Sequence, residues 1–168
     1  VAADTRYMQA MYKVVRMEPL SLEYLGAAVR EHHDVKLLDM RLEGGWAGLQ
    51  RTLETFQPHV VGTGGDTCES NGCKKVCSAA KKLDPKILTV VGGIHATTLP
   101  GDLLHPDIDL VCVNEGVNAF REIVERLERG GDFKEIHGLG VTEHCVQHLT
   151  PARPLAQLDP LPFPARSL

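Results

Sequence analysis

Short apolar runs bounded by turn residues alternate along the chain with longer amphipathic stretches, the sign of a parallel sheet with helices on both faces. Residues 35–40 (VKLLDM), 59–63 (HVVGT), 87–91 (ILTVV) and 109–113 (DLVCV) read as strands, and residues 1–3 read as the end of another. Helices are expected at about 20–31, 46–55, 69–83 and 119–129, with a short one near 99–104. Leu20, Leu22, Leu25 and Val29 line one face of the first; Phe120, Ile123, Val124 and Leu127 line one face of the last, with Arg121, Glu122, Glu125, Arg126 and Glu128 outside and Gly130-Gly131 ending it. The pattern predicts an α/β, Rossmann-like, doubly wound five-stranded parallel sheet. In such sheets ligands bind at the carboxyl ends of the strands.

The pattern changes at residue 136. Residues 141–150 (VTEHCVQHLT) read as a hairpin or edge strands, and Pro151, Pro154, Pro160, Pro162 and Pro164 then forbid regular structure. The expected division is a Rossmann-like domain over 1–135 and a short hairpin or Pro-rich extended linker over 136–168. A chain of 168 residues, 43% hydrophobic and 24% charged, has enough apolar side chains for one buried core and the makeup of an ordinary soluble domain. A formal net charge of −4 with scattered basic residues argues against a nucleic-acid partner. No uncharged apolar run approaches a membrane span, and the cytoplasm is the expected location. Its five cysteines follow no disulfide framework and are expected as thiols. The first residues, Val1-Ala2-Ala3, suggest a fragment of a longer polypeptide.

Candidate chemistry collects in the loops that leave the strands. These are the long connection from Asp4 to Pro19 with Arg6, Tyr7, Met8, Met11 and Tyr12; GTGGDTCES after the second internal strand; GGIHAT after the third; and NEGVNAF before the last helix. Neither G-x-x-x-x-G-K-[ST] nor a G-x-G-x-x-G opening the first helix is present, so nucleotide binding lacks its usual mechanism. Small residues at adjacent strand ends would instead leave a trough free of side chains.

The ordered set PLSLEYLGAAVREHHDVKLLDMR, HVVGTGG, VVGGIHATTLP, DLVCVNEGVNAFREIVERL, IHGLGV and LDPLPFPARSL resembles the amino-terminal cobalamin-binding domain of cobalamin-dependent radical S-adenosylmethionine enzymes. The resemblance implies that the chain binds cobalamin and does not itself catalyse. Its partner would be the radical S-adenosylmethionine catalytic domain of the parent chain, a methyltransferase or cyclase that also uses S-adenosylmethionine and a 4Fe-4S cluster. By the same resemblance, the nucleotide tail of cobalamin lies among Thr63, Gly64, Gly65, Asp66, Thr67, Gly92, Gly93, Ile94, His95, Thr97, Glu115 and Gly116. Two departures stand out. Asn114-Glu115-Gly116-Val117 replaces the family's G-E-G-E, and Asp4-Thr5-Arg6 stands where other cobalamin proteins carry D-x-H-x-x-G. The second implies a base-off cofactor without a protein histidine on cobalt. Rival readings are a stand-alone corrinoid carrier, a cobalamin-independent sensor or interaction module, and a flavodoxin-like nucleotide-binding domain.

Cys73 and Cys77 share a helix face with Val76, Ala80 and Leu83, and Ala80 stands where a CxxxCxxC cluster motif needs its third cysteine. A buried apolar stripe is the better reading, and no metal site is expected. Cys112 reads as core and Cys68 as a loop thiol near the ligand edge. His144, Cys145 and His148 fall short of a closed zinc site. His95 leaves two readings open, a polar contact to the cofactor or a cap on the following turn. Asp39 and Arg41 read as a local ion pair.

Overall fold

The computed structural model describes residues 18–157 and 159–167. The strand expected at residues 1–3 and the aromatic side chains of the first loop lie outside them. In chain order the elements are α1 (Leu20–Val29), α2 (Gly45–Phe56), β1 (Val60–Gly64), α3 (Ser70–Leu83), β2 (Leu88–Gly92), α4 (Ile94–Thr98), β3 (Leu110–Cys112), α5 (Val117–Arg129), β4 (Leu139–Glu143) and β5 (Val146–Leu149), with 3-10 turns at Pro100–Leu103 and Phe133–Glu135. The strands form one five-stranded sheet in the order β1-β2-β3-β4-β5. Pairs β1–β2 and β2–β3 are parallel, while β3–β4 and β4–β5 are antiparallel.

Among the described residues the α/β class and the count of five hold, but the strand expected at residues 35–40 is absent and two antiparallel strands join the sheet. Residues 35–40 form no strand among the described residues; Leu38 and Met40 pack instead on Leu49, Leu53, Val61, Val76, Ala80 and Ile87 beneath α2 and α3. The hairpin adds its two strands at the free edge of β3. His144 and Cys145 turn it with φ of 48° and 62°, the left-handed pair that a tight two-residue hairpin requires. Leu139 and Val141 then drop into the core beside Leu110 and Cys112, so β4 extends the sheet rather than leaving it.

Alternation along β2 and β3 feeds both faces, which is why these strands read as unbroken apolar runs. Leu88, Val90, Leu110 and Cys112 pack against Ala119 and Ile123 of α5, while Val91 and Val111 pack against Cys73, Cys77, Ala96, Leu103 and Ile108. Helix α1 lies alongside α5 in the same direction. Leu25 abuts Gly116, Ala28 O accepts from Arg121 Nε at 3.4 Å, and His33 Nδ1 stands 3.5 Å from Glu128 Oε1. The first turn of α1 therefore projects beyond the start of α5, on the carboxyl side of β3. The Pro-rich extension returns to that place. Ala165, 4% exposed, donates its N–H to Glu23 O at 3.2 Å, and Arg166 Nε reaches Glu18 Oε2 at 3.1 Å.

At the opposite edge of the sheet a polar knot ties α3 to the strands. Thr89, fully buried, donates its N–H to Asp109 Oδ2 at 2.8 Å and its hydroxyl to Asp107 O at 2.7 Å, while Lys81 Nζ stands 2.7 Å from Asp109 Oδ2. Ser78 also donates to Asp107.

Cys73, Cys77 and Cys112 are buried free thiols, whereas Cys68 and Cys145 are exposed. Burial pushes the Cys77 thiol up to about 12 and that of Cys112 up to about 11, and it raises Cys73 as well. Since the thiolate is the reactive form, a chromogenic disulfide reagent at about pH 8 is expected to label Cys68 and Cys145 promptly and the other three only after denaturation. Fast labelling of Cys73, Cys77 or Cys112 in the folded protein would contradict this packing.

Candidate functional site

The carboxyl ends of β1, β2 and β3 bring three loops to one rim. From β1 come Thr63 to Thr67, from β2 come Gly92 to Thr97, and from β3 come Asn114 to Gly116. The residues picked out by sequence thus share one edge, although they span more than fifty positions of chain.

Side chains and backbone lace these loops together. His95 donates its backbone N–H to Gly65 O at 3.3 Å, and its imidazole Nδ1 lies 3.3 Å from Thr67 Oγ1. The ring is buried, with Nε2 at 3.8 Å from Asp102 Oδ2. The side chain thus bridges two loops. Thr97 Oγ1 donates to Gly93 O at 3.1 Å and accepts from the Asn114 N–H at 2.9 Å, joining the second loop to the third. Asp66 Oδ1 accepts from the Cys68 N–H at 2.8 Å, and Thr63 Oγ1 lies 3.8 Å from Cys73 Sγ. Ile94 is exposed.

The glycines serve this close approach. A Cβ on Gly93 would stand 2.8 Å from both N and O of Gly65, and one on Gly64 would stand 3.0 Å from Gly92 O. Gly93 also has φ of +94°, a conformation that favours glycine. The open trough expected from sequence is therefore closed: backbone of the neighbouring loop fills it. What persists is a crevice with no room for even a water-sized molecule, lined by residues that include Asp66, Ser70, Cys73, His95 and Leu103. Small-molecule pockets run to roughly 300–1,000 Å³, so a nucleotide tail enters only if the β1 and β2 loops part. A larger, open groove between α2 and α3, lined by Trp46, Gln50, Lys75 and Lys82, includes none of these strand ends.

Glu115 behaves differently from its neighbours. Its Oε1 accepts from the Val117 N–H at 2.8 Å and caps α5, but Oε2 is buried with no hydrogen-bond partner among the described residues. Buried polar atoms are nearly always paired, so this acceptor is poised for a donor. The donor set fits a corrinoid in kind. Bare backbone at the four glycines can lie against a tail, the hydroxyls of Thr63, Thr67 and Thr97 can serve its ribose and phosphate, and Glu115 can take an amide N–H. Sequence reasoning missed Asn114, Ser70, Leu103 and Glu23. For Glu23 the only signal was its i, i+3, i+6 spacing with Gly26 and Val29, all three buried.

An open α/β sheet whose strand-end loops converge on one rim defines a cofactor-binding Rossmann-like domain. Residues 14–124 match the B12 binding domain family, and the chain belongs to it. It is 34% identical over 154 residues to an uncharacterized methyltransferase of Pyrococcus horikoshii, a match that covers 89% of this chain and 34% of that protein. It is 33% identical over 162 residues to the hopanoid C-3 methylase of Methylococcus capsulatus, covering 84% of this chain and 30% of that one. The chain thus spans about a third of the length of these relatives. Among solved structures, the fold superposes with a TM-score of 0.77 on the cobalamin-dependent S-adenosylmethionine radical enzyme OxsB with aqua-cobalamin bound, at 16% identity over 92% of this chain and 23% of that one. Among the described residues, no helix is long and apolar enough to cross a membrane, and no cluster of potential metal ligands occurs.

Proposed function

We propose that this domain seats cobalamin, base-off, for a radical S-adenosylmethionine methyltransferase of which it is a part. The observation that carries the reading is the rim itself: two glycine- and threonine-rich strand ends meet there with a third that carries a buried carboxylate oxygen without a hydrogen bond among the described residues. The family match and the two methyltransferase relatives support it. Cobalamin, when bound, supplies a cobalt–carbon bond able to carry a methyl group. The chain's own part is placement. Gly64, Gly65, Gly92 and Gly93 would admit the tail once the loops part, Thr63, Thr67 and Thr97 would hydrogen-bond it, and Ile94 offers an exposed apolar contact beside it. The absence of D-x-H-x-x-G and the engagement of His95 with Thr67 and Asp102 both favour a cobalt without a protein histidine.

Titrating the protein with hydroxocobalamin is expected to give a co-eluting corrinoid on a sizing column, with a base-off visible spectrum. His95→Ala is expected to leave the cobalt ligand-field bands where they are. A band shift in that variant would make His95 a cobalt ligand; no co-elution with the native protein would refute cobalamin binding.

A further inference from the structure

Glu115 is not alone on its rim. Glu23, on the first turn of α1, has a side chain 8% exposed, and its Oε2 is buried without a hydrogen-bond partner among the described residues. Arg166 Nε approaches that oxygen only to 4.0 Å and spends its closer contact, 3.1 Å, on Glu18. Because α1 runs alongside α5 with Leu25 against Gly116, Glu23 sits past the start of α5, on the same side as the loop that carries Glu115. Two buried carboxylate oxygens without a hydrogen bond among the described residues, one of them with Arg166 at 4.0 Å, thus lie at this end of α1 and α5.

The ligand that satisfies them must bring N–H or O–H donors. A divalent cation fits poorly, since it needs several oxygen ligands together and no group of three or more potential ligands exists among the described residues. A ligand carboxylate fits worse, because it would set like charge against buried carboxylates. Primary amides supply neutral N–H donors, and the corrin periphery of cobalamin is lined with acetamide and propionamide arms. We infer that Glu115 and Glu23 accept hydrogen bonds from peripheral amides of the corrin and so select amidated corrinoids over those whose arms are free carboxylates. This rests on the proposed cobalamin function and adds to it a rule of specificity.

The test compares hydroxocobalamin with the separated monocarboxylic acids obtained by hydrolysing single peripheral amides of cobalamin, bound to the native chain, Glu115→Gln and Glu23→Gln. The native chain is expected to disfavour at least one monoacid by about tenfold or more, the scale of a like-charge contact out of water. Either Gln variant is expected to shrink that ratio to about twofold, because the neutral amide tolerates the acid. Gln at 115 retains an oxygen to cap the Val117 N–H, and Glu23→Gln is an independent probe should the first variant fold poorly. Equal native affinity for cobalamin and every monoacid, or a ratio unchanged in both variants, overturns the inference while leaving cobalamin binding intact. Failure of the native chain to bind any of these corrinoids overturns both.

Discussion

Gly93→Val is expected to lower stability by about 2–3 kcal/mol and to abolish cobalamin retention in the molecules that still fold. Two costs combine. A branched side chain at φ +94° is strained wherever it sits, and its Cβ would also stand 2.8 Å from the N and O of Gly65. Backbone cannot swing aside as a side chain can. The β1 and β2 loops must then move apart, which breaks the 3.3 Å bond from His95 N to Gly65 O and leaves both groups to find other partners. Sequence alone suggests a milder result, a blocked trough in an otherwise sound fold; the close approach of the two loops is what adds the folding penalty. Gly101→Ala is the control. There the added Cβ meets nothing within 4 Å, and the backbone is outside the left-handed region. Its cost is expected to stay below about 1 kcal/mol. Urea unfolding midpoints of the two variants measure the difference, and equal midpoints would mean that the loops are not in contact in solution.

The two glycine variants also mark where sequence stops being legible. Strands β1, β2 and β3 and the helices flanking them were readable to within a few residues, because their periodicity and turn residues are local properties. Thr63 to Thr67, Gly92 to Thr97 and Glu115-Gly116 were readable as one edge for a related reason: in a parallel sheet every strand-to-helix loop emerges on the same side. What could not be read depends on partners distant in sequence. Residues 35–40 have the composition of a strand, yet Leu38 and Met40 serve the core under α2 and α3. The weaker pattern LGVTE became β4 because the Cys112 edge of β3 was there to pair with Leu139. Glu23 carried no sequence reading of its own, and its burial comes with the packing of α1 on α5 and the return of Ala165. Leu127, expected inward, is 39% exposed near the end of α5. The glycine pairs are compatible with both a trough and a closed crevice; the choice is made by the neighbouring loop.

Asp109→Ala is expected to be about as damaging to stability as Gly93→Val, about 3 kcal/mol, yet to leave cobalamin affinity of the folded protein unchanged. The carboxylate gathers two donors at the amino edge of the sheet, the Thr89 N–H at 2.8 Å and Lys81 Nζ at 2.7 Å, and lies 3.0 Å from the Thr89 hydroxyl, whose proton goes to Asp107 O. Truncation strands a buried N–H in β2 and leaves the Lys81 ammonium, only 16% exposed, without its counter-charge. Both penalties come from groups left unpaired, so the loss exceeds the net worth of the bonds themselves. Thr89→Val removes the hydroxyl but keeps shape, the N–H bond and the ion pair, and should cost about 1 kcal/mol. The double variant is expected to cost less than the sum, because the same carboxylate serves both residues. Affinity should survive because the knot and the binding rim occupy opposite ends of β2 and β3, and a folded molecule presents its rim whichever way its far edge is held. Loss of cobalamin affinity in folded Asp109→Ala, matched to the native protein by far-UV circular dichroism, would show that the two edges are coupled through the strands between them.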